Sequence, residues 1–127
     1  MDTIHNQEKE LKKILTLQCL NLLQMHALRG QTTHYDTMEV MLGITQDRTQ
    51  YPTVISGVLR AVHDFCKLSG LPPLDVLVVR RNGKDKGLPG PGFWIGLTGE
   101  VPPIEVRKEK TQLHTNECFN LFATLGI

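Results

Sequence analysis

With 127 residues the chain has room for one apolar core and not comfortably for two. Hydrophobic residues at 40% and charged residues at 21% are ordinary for a globular protein and argue against disorder away from the ends. Lys and Arg number 14 against 13 Asp and Glu, a net charge of +1, so bulk charge does not assign the chain to nucleic acid.

From Asn6 to Leu28 the pattern predicts a helix, with charged first turns and Gly30 as its stop. Leu11, Ile14, Leu15, Leu22 and Met25 mark one apolar face, and Leu17, Leu20, Leu23, Ala27 and Leu28 mark a second. That band is wider than one packing face requires. Either the helix lies across the middle of the domain, or its extra face meets another subunit, as in a homodimer.

Gln31 to Tyr35 reads as a brief strand, and Asp36 or Thr37 then caps a short helix that Gly43 closes. Ile44 to Gln50 is a polar turn, and Pro52 at a first helical position opens a longer helix. Its inward face is Val54, Ile55, Val58, Leu59, Val62, Phe65 and Cys66, up to Ser69 and Gly70. Pro72 and Pro73 forbid its continuation. Asp75 to Val79 reads as a covered strand, Arg80 to Pro91 as a loop, and Phe93 to Leu97 as a strand returning in a hairpin. After the Pro102-Pro103 connector, Thr111 to Leu125 is a closing helix with Leu113, Cys118, Leu121, Phe122 and Leu125 inward.

Two helices joined by a tight turn and followed by a β-hairpin are the parts of a winged helix. The expected fold is therefore α+β: a single winged-helix-like domain with an added N-terminal long helix and a C-terminal helix. Residues 1–30 form the first helix, 31–100 the winged-helix core, and 101–127 the linker and last helix.

In a helix-turn-helix the second helix offers polar side chains to the major groove. Thr49, Gln50, Tyr51, Thr53, Ser56 and Arg60 fill those places, Arg48 adds charge, and Gly57 leaves room for a close backbone approach. Arg80, Arg81, Lys84 and Lys86 against Asp85 give the loop a net +3 over seven residues, the largest local excess in the chain. A cationic wing there is placed to grip phosphates, and its binding would weaken with salt. The competing readings are a solvated helix face and a solvated hairpin tip.

No Gly-x-x-x-x-Gly-Lys-[Ser/Thr] string occurs, so Gly83, Gly87, Gly90 and Gly92 are expected to set a backbone path that lets Phe93 and Trp94 pack, not to cradle a phosphate. His5, His26, His34, His63 and His114 form no catalytic motif; adjacent helical residues diverge, so His63 and Asp64 are no dyad. Cys19, Cys66 and Cys118 are odd in number and lack zinc spacing, so no metal or cofactor is expected. Free thiols, no signal-peptide pattern and no apolar stretch near the roughly 20 residues of a membrane helix make a cytoplasmic location the expectation.

Thr33-His34-Tyr35-Asp36, Pro52 to Leu68 and Leu77-Val78-Val79-Arg80-Arg81-Asn82-Gly83 together resemble the DNA-binding winged-helix domain of the DNA alkyltransferases and alkyltransferase-like proteins. The parts come in that family's order: strand and short helix, recognition helix, then the strand and turn after the active-site motif. The family's Pro-Cys-His-Arg motif is missing; Asp75, Val76 and Leu77 occupy the Cys, His and Arg places. Asp75 cannot supply a thiolate nor Val76 a base, so the resemblance implies a DNA-binding scaffold without alkyl transfer or damaged-base recognition. Gly70-Leu71-Pro72-Pro73-Leu74 followed by Pro89-Gly90-Pro91-Gly92-Phe93 also resembles small bacterial and phage proteins, which brings no activity with it.

The expected function is non-enzymatic binding of nucleic acid, with duplex DNA favoured, through Thr53, Ser56, Arg60, Arg80, Arg81, Lys84 and Lys86. The alternative is a protein-interaction module, such as an adaptor or a phage- or defence-related inhibitor, on the same scaffold. Near-zero net charge and the wide apolar band of the first helix favour that alternative.

Overall fold

The computed structural model describes residues 3–45 and 53–125. The apolar periodicity near the N-terminus forms α1 (Thr3–Leu28), a helix that packs against most other elements of the chain. A two-residue strand, β1 (Thr33–His34), leads directly into α2 (Tyr35–Leu42), and Gly43 closes that helix at φ 72°, a left-handed conformation favouring glycine. The helix thus begins before the expected Asp36 or Thr37 cap, with His34 as its N-cap residue.

The second long helix, α3 (Val54–Leu68), starts later than expected. Thr53 is its N-cap, its hydroxyl accepting the Ser56 N–H at 3.2 Å. Arg48, Thr49, Gln50, Tyr51 and Pro52 lie outside the described residues. Most of the expected inward face is buried, but Val54 and Phe65 are partly exposed, and His63 takes a place among the buried residues.

Asp75 to Leu77 belong to a 3-10 turn (Leu74–Leu77), and only β2 (Val78–Val79) is strand. The largest departure from expectation is in the next segment. Phe93 to Leu97 is not a returning strand but part of α4 (Pro91–Thr98), so no hairpin forms. Pro91 presets φ at the first turn, and Gly99 at φ 90° stops the helix, the pairing that favours a short helix over a strand. β2 instead pairs in parallel with β1, Thr33 opposite Val78 and His34 opposite Val79. Parallel neighbours need a crossover, and α2, α3 and the 3-10 turn supply it.

The chain closes with α5 (Ile104–Thr124), which crosses the core through Thr111, Cys118 and Phe122. Leu113 and Leu125, expected inward, lie off that line and are about half exposed. The result is a mostly helical α+β structure with a two-stranded parallel sheet. One apolar cluster joins Cys19 and Leu23 of α1, Met38 of α2, Val58, Val62 and Cys66 of α3, Leu74 and Leu77, Trp94 of α4 and Cys118 of α5. Truncating such a side chain, as in Leu23→Ala, costs about 2–5 kcal/mol. The central placement expected as one option for the first helix holds, yet Leu11, Ile14, Leu17, Met25 and Leu28 remain exposed along it. Among the described residues no helix is long and apolar enough to cross a membrane.

Candidate functional site

The loop after β2 is held at its neck by the backbone. The Arg80 N–H donates to the Leu88 carbonyl and the Gly87 N–H to the Arg80 carbonyl, both at 2.9 Å. Two ion pairs then fix its sides. Arg81 donates to Asp36 Oδ1 at 3.2 Å and to Thr37 Oγ1 at 3.0 Å, tying the loop to the start of α2. Asp85 accepts from Arg107 of α5 at 2.9 Å. Because Asp36 and Arg107 lie outside the loop and offset one another, the local +3 survives; Arg80, Lys84 and Lys86 are exposed, with no ion-pair partner among the described residues.

Arg80 is linked in space to α3 through the start of α4. A Cβ built on Gly90 would lie 3.5 Å from Arg80 Nη2, and the Gly90 N–H donates to the Tyr35 hydroxyl at 2.7 Å. Arg60 Nη1 donates to the Gly92 carbonyl at 3.4 Å. The guanidinium groups of Arg60 and Arg80 therefore both abut one short stretch of chain, Gly90–Gly92. Asp64, one turn along α3, is a loose partner for Arg60 at 3.8 Å and half exposed.

The other predicted helix residues are less available. Thr53 uses its hydroxyl as the cap, and Ser56 Oγ donates to the Thr53 carbonyl at 2.8 Å, although each oxygen retains acceptor capacity. The space above Gly57, expected to admit an approaching backbone, is taken by a side chain of the protein itself. A Cβ there would fall 3.7 Å from Cε and Nζ of Lys12 on α1.

Beneath this surface lies a pair that the local pattern did not reveal. His63, 3% exposed, donates Nδ1–H to Asp75, 5% exposed, at 2.9 Å from Oδ2 and 3.1 Å from Oδ1. The imidazole meets Phe93 edge to face, centroids 5.5 Å apart. Its other edge is covered by α4, for a Cβ on Gly96 would lie 3.3 Å from Nε2. The Asp75 carboxylate, accepting the ring N–H, raises the His63 pKa, while burial raises that of Asp75 itself. His63 shares its helix face with Leu59 and Cys66, a signal of burial, but nothing local names Asp75 as its partner.

Both side chains of this pair are buried, packed between α3, the 3-10 turn and α4. Burial pushes the Cys19 and Cys118 thiols up to about 12 and raises Cys66, so none of the three is an available thiolate at neutral pH. Among the described residues no group of three or more His, Cys, Asp or Glu is placed to hold a metal ion. A groove of about 520 Å³ between α1 and α2 is lined by Gln18, Asn21, Leu22, Val40 and Met41, which offer no acid, base or nucleophile. What the geometry offers is exposed cations on two elements, Arg60 on α3 and Arg80, Lys84 and Lys86 in the loop, with Arg60 and Arg80 on either side of the start of α4.

No protein-family model, curated protein or solved structure matches the chain. Its function is therefore read from these side chains and where they lie.

Proposed function

We propose that the protein is a small non-enzymatic nucleic-acid-binding protein that grips the phosphates of duplex DNA. The observation that carries this reading is that Arg60 of α3 and Arg80 of the loop border the same short stretch, Gly90–Gly92, which supports treating the two as neighbouring parts of one binding surface. Arg80, Lys84 and Lys86 are the main phosphate contacts in this reading. Arg81 orients the loop through Asp36 and Thr37 instead of reaching outward. Ser56 and Thr53 border the helix side, with their hydroxyls already engaged, so positioning on the backbone outweighs reading of bases.

In this reading the winged-helix likeness is a reduced one. α2 and α3 stand for the helix pair, and the closed loop takes the place of a hairpin wing. In the resemblance to the alkyltransferase DNA-binding domain, Asp75 takes the cysteine's place, and its engagement with His63 beneath the surface agrees with a scaffold that lacks transfer chemistry. The unpaired thiols suit a reducing cytoplasm.

The test is binding to random duplex and single-stranded DNA across a salt series, with a Lys84→Ala/Lys86→Ala variant alongside. The logarithm of affinity for duplex should fall linearly with the logarithm of salt, and the variant should reduce that slope by about 2. Binding that is absent at low ionic strength, or unchanged in slope in the variant, rejects the reading. A protein-interaction role is the second reading, favoured by the exposed apolar row on α1 and by Val40, 79% exposed beside the α1–α2 groove. A dimer that dissociates when Leu17 becomes Glu would favour it.

A further inference from the structure

We infer that Lys12 of α1 is part of the same anion-binding surface and contacts the phosphate backbone of duplex DNA beside α3. The inference rests on the DNA-binding reading above and extends it to a helix that lies outside the winged-helix core.

Three observations place Lys12 there. Its Cε and Nζ lie over Gly57, each 3.7 Å from where a Cβ would stand, so the ammonium is carried onto the polar side of α3. Arg60 comes three residues after Gly57, and residues so spaced are neighbours on a helix surface. Lys12 and Arg60 thus flank a single turn of α3. Lys12 is exposed, and no carboxylate among the described residues pairs with it, whereas its neighbour Lys13 is engaged by Glu10 at 3.0 Å.

The cations then form a track: Lys12 over Gly57, Arg60 against Gly92, Arg80 beside Gly90, and Lys84 and Lys86 beyond the loop neck. A linear polyanion is the ligand that such a track complements, because it presents regularly spaced charges to residues drawn from several elements. A compact anion would engage only one end of it. Gly57 acquires a purpose in this arrangement: a long side chain there would lift Lys12 away from α3.

The experiment measures the salt dependence of binding to a random-sequence duplex for the intact chain carrying Lys12→Gln, Lys12→Arg or Lys13→Gln. Lys12→Gln should weaken binding by roughly threefold to tenfold at low salt and lower the slope by about 0.9, the share of one phosphate contact. Lys12→Arg should keep the wild-type slope, and Lys13→Gln should leave slope and affinity near wild type. A wild-type slope in Lys12→Gln, beside a reduced slope in Lys84→Ala/Lys86→Ala, overturns the role of Lys12 and leaves the DNA reading standing. Equal losses from Lys12→Gln and Lys13→Gln also overturn it, since they would report general charge near α1. No salt-dependent binding by the wild-type chain defeats the DNA reading itself.

Discussion

The two sides of α3 handle charge in opposite ways. On the inner side, His63 and Asp75 are buried against each other, and the charge of each is engaged by the other within the protein. On the outer side, Arg60 makes only a long contact to Gly92 and a loose pair with Asp64, and most of its capacity remains for something else. The contrast shows why pairing and exposure, more than residue type, separate a charge that holds a fold from one left open to solvent. The loop repeats the lesson on a smaller scale, with Arg81 tied to α2 while Lys84 and Lys86 face water.

The sharpest way to break this contrast is to remove one buried partner. Asp75→Ala should destabilise the fold by about 3–5 kcal/mol, measured by denaturant unfolding, because it leaves His63 buried without its acceptor. Replacing both members with apolar residues, His63→Phe with Asp75→Leu, should recover most of that loss. DNA affinity of the folded double variant should match wild type if the inner side has no part in binding.

A second effect is pH dependence. Both members of the pair have pKa values raised on folding, so the folded chain holds protons more tightly than the unfolded one, and stability falls as pH rises. For His63 the contribution is fully present below its unfolded value near 6.5 and is lost as pH climbs through the higher folded value. The thermal midpoint should therefore decline from about pH 6 upward in wild type and flatten in the His63→Phe/Asp75→Leu variant. A profile that rises with pH through that region would mean that the imidazole stays neutral within the fold, and a flat one that folding leaves its pKa unchanged.

The smallest expected effect is at the half-exposed clamp. Arg81 holds the Asp36 carboxyl below its usual range, chiefly through their hydrogen bond, and Arg81→Ala should return that pKa toward the ordinary value in an NMR titration. Stability should barely change, and DNA affinity should drop less than in Lys84→Ala. A larger loss for Arg81→Ala would place Arg81 among the phosphate contacts after all.

The helices with a single apolar face were legible because their spacing records how they pack. Ile55, Val58, Leu59, Val62 and Cys66 mark α3, and Gly43 marks the end of α2. α4 was misread because Phe93, Trp94, Ile95 and Leu97 are apolar in nearly every direction, and so short a run carries no period. With α4 as a strand, the contact of Arg60 with Gly92 could not be foreseen. The loop charges were legible as composition, but their division was not, since Asp36 and Arg107 are distant in sequence. His63 and Asp75 lie on different elements, and only the turn after Pro72-Pro73 brings them together.

The paired amide–carbonyl links between Arg80 and the Gly87–Leu88 end depend on main-chain atoms alone, whatever side chains the excursion displays. Its summit is thus a mounting that accepts different lettering. Reversing Lys84 and Lys86 to acidic residues would change what the molecule attracts while leaving its frame intact, so evolution or an engineer has a dial there separate from the core.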